Sequence, residues 1–360
     1  MSNLMRLLPS TTKGRGATFN PPNRFEELHL EPMEHDSSFV DEEEVRKIPT
    51  KFFVDDSKTV LAKNDSPDLG FGYSLNPYRG CEHGCIYCYA RPSHEYLGFS
   101  SGIDFETRIM VKLDAPKLLA GAFASATWKP QVVALSGNTD CYQPIERKLE
   151  LTRQCLRVFL DFRNPVSIIT KNALVQRDLD ILKEMGKLNT VSVTVSVTTL
   201  NNQLARMMEP RTSSPVKRLE AMKLLAKNGI RTGVLVAPVI PGLTDEEIPS
   251  ILKAAASSGA QYAGYTLLRL PYAIKDLFQD WLKRTIPERA QKVLSRIRDV
   301  RGGKLNDSTF GKRMKGEGHI AESIRQLFQA SHRKHFGESP KFRLACRHFR
   351  RPGDPQLGMF

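Results

Sequence analysis

The chain has 360 residues with 53 Lys+Arg against 39 Asp+Glu, a formal net charge of +14. A composition of 40% hydrophobic and 26% charged residues is that of an ordinary globular protein and excludes wholesale disorder. The charge is uneven: residues 281–360 carry 19 Lys+Arg and 7 Asp+Glu, which leaves only +2 for the first 280. The longest mostly apolar stretch, 233–243, contains two prolines and falls short of the ~18 residues of a membrane-spanning helix. Residues 1–9 lack a continuous apolar core and a small-residue cleavage site, and six cysteines are too sparse for a disulfide scaffold. No membrane association and a cytoplasmic location are therefore expected.

Residues 1–65 are polar and proline-punctuated, with an acidic run at 41–44, and read as an extended arm. Residues 66–272 form the expected core. Short β-branched runs recur there at 71–75, 131–135, 166–170, 191–197, 233–240 and 262–268. Between them lie helical spacings: Ile145, Leu149, Thr152, Leu156 and Phe159 share one face. Ser214-Pro215 opens a helix that Gly229 closes, and Thr244 with Glu247 reads as a capping box. Six strands separated by helices predict an α/β fold, a partial (β/α)6 barrel of the TIM type with right-handed crossovers. Its reactive residues gather at the C-terminal ends of the strands. Residues 273–360 are expected to be a basic, mainly helical C-terminal extension, opening with helices at 273–281 and 287–300.

The loop after the first strand carries Cys81, Cys85 and Cys88, separated by three and two residues, with Gly80 and Gly84 to let the backbone curl. Three thiolates so spaced can hold three irons of a four-iron cluster and leave the fourth open to another molecule. A zinc site is the alternative, although a fourth protein ligand is not evident and His83 lies inside the loop.

Cys-x-x-x-Cys-x-aromatic-Cys after the first strand of a six-unit βα fold resembles the radical S-adenosylmethionine (SAM) enzymes. The resemblance implies that Cys81, Cys85 and Cys88 ligate a [4Fe-4S] cluster, that the amino and carboxylate groups of SAM chelate the unique iron, and that Tyr87 packs by the adenine. Further runs, among them Gly14-Arg15-Gly16-Ala17, Asn76-Pro77-Tyr78-Arg79, Thr139-Asp140-Cys141-Tyr142-Gln143-Pro144 and Glu209-Pro210-Arg211, are similar to a bacterial branch. Its nearest named relatives are the spore photoproduct lyases, a DNA-repair-photolyase-like group. The implied activity is reductive cleavage of SAM to a 5′-deoxyadenosyl radical for hydrogen abstraction, with an electron from an external flavodoxin- or ferredoxin-like donor.

The other strand ends supply candidates with two readings each. Asn138, Thr139 and Asp140 follow the second strand, where the resemblance places contacts to the SAM amino group; the alternative is a turn that caps the next helix. Lys171 ends a strand that should be apolar, so its cation pairs with the SAM carboxylate or is simply solvated. Ser196, with Thr198 and Thr199 beside it, is placed by the resemblance at the ribose hydroxyls. Arg211 offers a fork to a carboxylate or pairs with Glu209. Cys141 is either a hydrogen-atom donor to a substrate radical or a small buried hydrophobe.

The basic runs 311–316 and 341–352 interleave cations with aromatics. They read either as a nucleic-acid surface or as a face that packs on the barrel and closes its open side. A non-catalytic, metal-containing nucleic-acid-binding protein is the competing class of function.

Overall fold

The structure, a computed structural model, describes residues 13–25, 48–338 and 342–352; the acidic run at 41–44 lies outside the described residues. Ten strands are described: β1 (Lys51–Val54), β2 (Leu61–Lys63), β3 (Tyr73–Leu75), β4 (Tyr78–Arg79), β5 (Arg108–Val111), β6 (Val133–Leu135), β7 (Val166–Thr170), β8 (Val191–Ser196), β9 (Arg231–Val239) and β10 (Tyr262–Leu267). Six of them, β3 and β6 to β10, are the expected strands. They run parallel in the order β10-β9-β8-β7-β6-β3, and β2 adds an antiparallel edge beside β3. The short β1, β5 and β4 form a separate sheet in that order.

The central strand shows why the sheet forms. β8 reads Val-Ser-Val-Thr-Val-Ser and every residue is buried, as a parallel strand covered on both faces requires. Helices Leu151–Phe162, Leu179–Lys187, Pro215–Lys227 and Ile248–Ser257 send their apolar faces into the same core, with Phe159, Leu182, Leu225 and Ile251 all buried. The partial barrel is therefore as expected.

Local expectations fare less evenly. Ser214 caps its helix, its hydroxyl accepting from the Lys217 amide at 3.4 Å. The single helix expected to span Ile145 to Phe159 is broken at Glu150, which adopts φ +51°. The capping box does not form. Thr244 Oγ1 instead accepts from the Ile240 amide at 3.0 Å, and Glu247 turns to the loop after β8, accepting from the Thr199 hydroxyl at 2.5 Å and the Leu200 amide at 2.7 Å. Tertiary partners outcompete the local cap.

The two basic runs go to opposite ends of the barrel. The first closes its open side: Leu267 N of β10 donates to Met314 O at 2.9 Å, while Asp68, between β2 and β3, accepts from Gly311 N at 2.7 Å and from Arg313 Nε at 2.5 Å. The described part of the second lies beneath the strands' N-terminal ends. There Ala345 N donates to Asn189 O and Arg350 N to Phe162 O, each at 2.9 Å, and the Arg231 guanidinium stacks over Phe342 at 3.4 Å. Among the described residues no helix is long and apolar enough to cross a membrane.

Candidate active site

The cysteine loop leaves β4 through Gly80 at φ +77° and turns again at Gly84, φ +67°. Cys81 N donates to Phe105 O at 2.9 Å and Ile86 N to Met208 O at 3.0 Å, so the loop is tied to the body on both sides. From below, the fully buried Arg91 donates to Cys85 O from Nε (3.0 Å) and Nη2 (2.9 Å) and pairs with Glu106 at 2.5 Å. Glu106 also accepts from the amides of Gly16 (3.0 Å) and Ala17 (2.8 Å), which lays the N-terminal segment over the loop. A Cβ on Gly16 would lie 1.8 Å from Gly84 O, so only glycine allows this approach. Laterally, Glu82 takes the Ile145 amide at 2.8 Å and Arg211 at 3.2 Å, while its own amide donates to Gln143 Oε1 at 2.9 Å.

Cys81 and Cys85 are buried, and Cys88 packs against the apolar groups around both. Among the described residues no three Cys, His, Asp or Glu side chains converge as they would on a single ion. Three cysteine thiols on one loop are the donor set of a multi-iron centre, which needs no fourth protein ligand. Burial pushes all three thiols up, so their thiolates need a cationic centre beside them.

At the C-terminal ends of β7 to β9 lies a buried charge network. Lys171 Nζ donates to Ser196 Oγ (2.9 Å), Thr198 Oγ1 (2.9 Å) and Ala237 O (2.8 Å), and pairs with Glu209 at 3.1 Å. Glu209 also pairs with the buried Arg218 and accepts from the hydroxyls of Tyr87 and, at 2.7 Å, Thr198. Burial alone would raise the Glu209 carboxyl, but Arg218 and Lys171 overcome it and hold it far below the usual carboxylate range. Two cations share one carboxylate, so the network carries one positive charge in excess. Beside it opens a cleft of roughly 750 Å³ bordered by Asn172, Ala205, Glu209, Arg211 and Ser213, which none of the three cysteines lines.

The structure thus brings together Tyr87, Lys171 and Ser196, with the Lys171 ammonium 5.6 Å from the Tyr87 ring centre. Other candidates are placed differently. Cys141 is wholly buried in the core, its amide held by Ser136 Oγ at 2.7 Å and its carbonyl by Thr152, a placement that matches the packing reading. Thr139 spends its hydroxyl on Tyr78 O at 2.7 Å. Both oxygens of Asp140 are occupied: Oδ1 accepts from the Tyr142 amide (2.9 Å) and Thr170 hydroxyl (2.8 Å), Oδ2 from the Lys171 amide (2.7 Å) with His83 at 3.4 Å. It joins the loop after β6 to the end of β7 and to the cysteine loop. Asn138 is half-buried, its amide donating to Asn76 Oδ1 at 2.9 Å and its side chain to Ser93 Oγ at 3.3 Å. Arg211 pairs with Glu82 rather than Glu209, whose carboxylate Arg218 has taken. Arg218 was missed, although a signal existed: it sits three and four residues before Ala221 and Met222 on the buried stripe of its helix.

Residues 75–255 match the family model of the radical SAM superfamily. An uncharacterised protein of Mycobacterium tuberculosis (strain ATCC 25618 / H37Rv) is 37% identical over 234 residues, 64% of this chain and 68% of that protein. An uncharacterised protein of Methanocaldococcus jannaschii is 33% identical over 178 residues, 49% of this chain and 64% of its own. Among solved structures, spore photoproduct lyase complexed with dinucleoside spore photoproduct shares the fold with a TM-score of 0.59 at 18% identity, covering 82% of this chain and 86% of that one. A thiol loop with the donor set of an iron–sulfur centre, a partial barrel around it and a family match over half the chain lead to one assignment: this chain belongs to the radical SAM superfamily, enzymes that work with a four-iron four-sulfur cluster and SAM.

Proposed function

We propose that Cys81, Cys85 and Cys88 hold the cluster and that the Lys171 network receives the carboxylate of SAM. The observation that carries this reading is the single positive charge left when Lys171 and Arg218 share Glu209 at the barrel mouth. When bound, the cluster would supply the one electron needed for reductive cleavage of SAM to methionine and a 5′-deoxyadenosyl radical, the species that would take a hydrogen atom from substrate. This chain's own residues bind and orient: the Lys171 ammonium, held in place by Ser196, Thr198 and Ala237 O, attracts the carboxylate through the excess charge of its network. Arg91, Glu106 and the 14–17 segment cover the thiol loop and exclude water from it. The electron comes from an external donor, as is general for the superfamily; a flavodoxin or ferredoxin is the donor this reading proposes.

We read the substrate as nucleic acid, in the manner of a lesion-repair lyase. Spore photoproduct lyase, of the same fold, has been solved complexed with dinucleoside spore photoproduct; for this chain the support is the basic run at 311–316, which lies at the C-terminal end of β10.

Anaerobically reconstituted protein should contain about four irons per chain and form 5′-deoxyadenosine from SAM under dithionite. Cys85→Ala should lose both, and Lys171→Met should weaken SAM binding roughly tenfold or more. Stoichiometric zinc without iron, and no 5′-deoxyadenosine, would overturn the reading.

A further inference from the structure

Where β10 ends, three guanidiniums meet with few counter-charges. Arg269 is the second residue beyond the strand. Its ring-facing side stacks on Tyr89, 5.4 Å from the ring centre, and its Nη1 lies 3.8 Å from the Met314 thioether. Its Nε is buried with no hydrogen-bond partner, and it forms no ion pair among the described residues. Arg301 is only 2% exposed and donates to three backbone carbonyls, of Leu267, Leu268 and Lys312; its Nε too is unpartnered, and no carboxylate pairs with it. Arg313 is the third; it pairs with Asp68, whose charge also acts on Arg269 without an ion pair. Two further acids lie nearby among the described residues: Asp307, which accepts from the Thr309 amide at 2.8 Å and acts on Arg301 without pairing with it, and Glu317, which pairs with Lys312 at 2.7 Å.

Burial lowers Arg269 and Arg301, the latter to about 10, and each is lowered further by a neighbouring guanidinium, Arg313 for Arg269 and Arg269 for Arg301. A guanidinium does not escape desolvation by losing its proton at neutral pH, so the cost persists until an anion arrives. Tyr89 fixes where that anion would sit. It directly follows Cys88, and its hydroxyl donates to Gly137 O at 2.9 Å across the loop after β6. Arg269 therefore stands over the residue next to the third thiol, at the mouth where the reaction is placed.

We propose that Arg269, backed by the charge of Arg301 and seated on Tyr89, is a phosphoryl-binding subsite that anchors the substrate beside the thiol loop. It rests on the reading above in taking the strand C-terminal ends as the substrate mouth. A planar fork with free N–H groups matches the oxygens of a phosphate, and a partly desolvated setting strengthens the contact. The phosphoryl group belongs either to a phosphodiester chain or to a small phosphorylated substrate.

The test uses the full-length reconstituted holoprotein and two probes, a 5′-fluorescein-labelled oligothymidylate followed by anisotropy and inorganic phosphate. At least one probe should bind, with affinity falling steeply as salt rises. Arg269→Gln should weaken it at least about tenfold and Arg269→Lys by less, while Lys227→Gln, an exposed cation on helix Pro215–Lys227, should leave it within about twofold. Oligonucleotide binding displaced by phosphate supports a phosphodiester; phosphate binding without the oligonucleotide supports a small substrate. In wild-type protein, phosphate should protect Arg269 from phenylglyoxal, read by peptide mass spectrometry, which keeps the test decisive if the variants fail to fold. Unprotected Arg269 together with equal binding by Arg269→Gln and wild type overturns the subsite. Formation of 5′-deoxyadenosine by the same wild-type preparation reports separately on the cluster and SAM.

Discussion

Two cationic groups stand at the same end of the barrel and differ in how their charge is met. Lys171 is held by three neutral oxygens and a carboxylate, all from strand ends or the turn at Glu209. Arg269 has an aromatic face, a thioether and, among the described residues, no paired carboxylate, Asp68 acting on it while pairing with Arg313. The first is positioned before any ligand arrives. The second is left electrostatically incomplete, a cost to stability that a protein recovers only on binding. Preorganisation and readiness for a partner are thus separated into two places on one rim.

The contrast is broken most severely through Glu209. Glu209→Gln strips the shared carboxylate from Lys171 and Arg218 and should cost roughly 3–5 kcal/mol, measured by urea unfolding. A loss under about 1 kcal/mol would mean that the network contributes little to the fold. A second buried base sharpens the comparison because, unlike arginine, it can shed its proton. His94 is fully buried with neither ring nitrogen hydrogen-bonded, Asp104 and Arg108 being the charged groups nearby. Burial lowers it from 6.5 to about 4, so the unfolded chain binds the proton more tightly. Stability should fall as pH drops from 6.5 towards 4, by ~3 kcal/mol in all, and His94→Phe should flatten that part of the profile. Arg269→Met should go the other way from Glu209→Gln, raising stability by about 1 kcal/mol because it removes an unpaired cation and keeps the stem on Tyr89. Arg350→Ala, at the opposite end of the barrel, should change stability by no more than about 0.5 kcal/mol, its exposed guanidinium bonding, among the described residues, only the Asp161 carbonyl.

Much of this was legible in the chain. The six β-branched runs became the six parallel strands because a strand buried on both faces must be nearly continuous in apolar residues. The thiol spacing located the loop. By contrast β1, β2, β4 and β5 are two to four residues long and mostly exposed or half-buried, too short to show a period. The left-handed turn at Glu150 interrupts a sound helical pattern with no glycine to announce it. Asp140, Thr139 and Cys141 occupy the expected loop, yet their side chains or backbone are spent on the protein itself, which no spacing rule reports. The pairing of Glu209 with Arg218 rather than Arg211 was decided by which guanidinium the helix after it buries. The basic tail was divided by geometry, one run sealing the barrel and the other lying beneath it.

The N-terminal segment over the thiol loop has a consequence for the order in which the molecule is completed. Its glycine backbone rests on Gly84 and Glu106, but Thr18 further along is fastened by hydrogen bonds to Asp280 at 3.1 Å and Arg284 at 3.0 Å. Those partners are more than 260 positions away in sequence. On a growing chain, therefore, the three thiols emerge and fold long before the last fastening of their cover exists, and the loop stays accessible through most of synthesis.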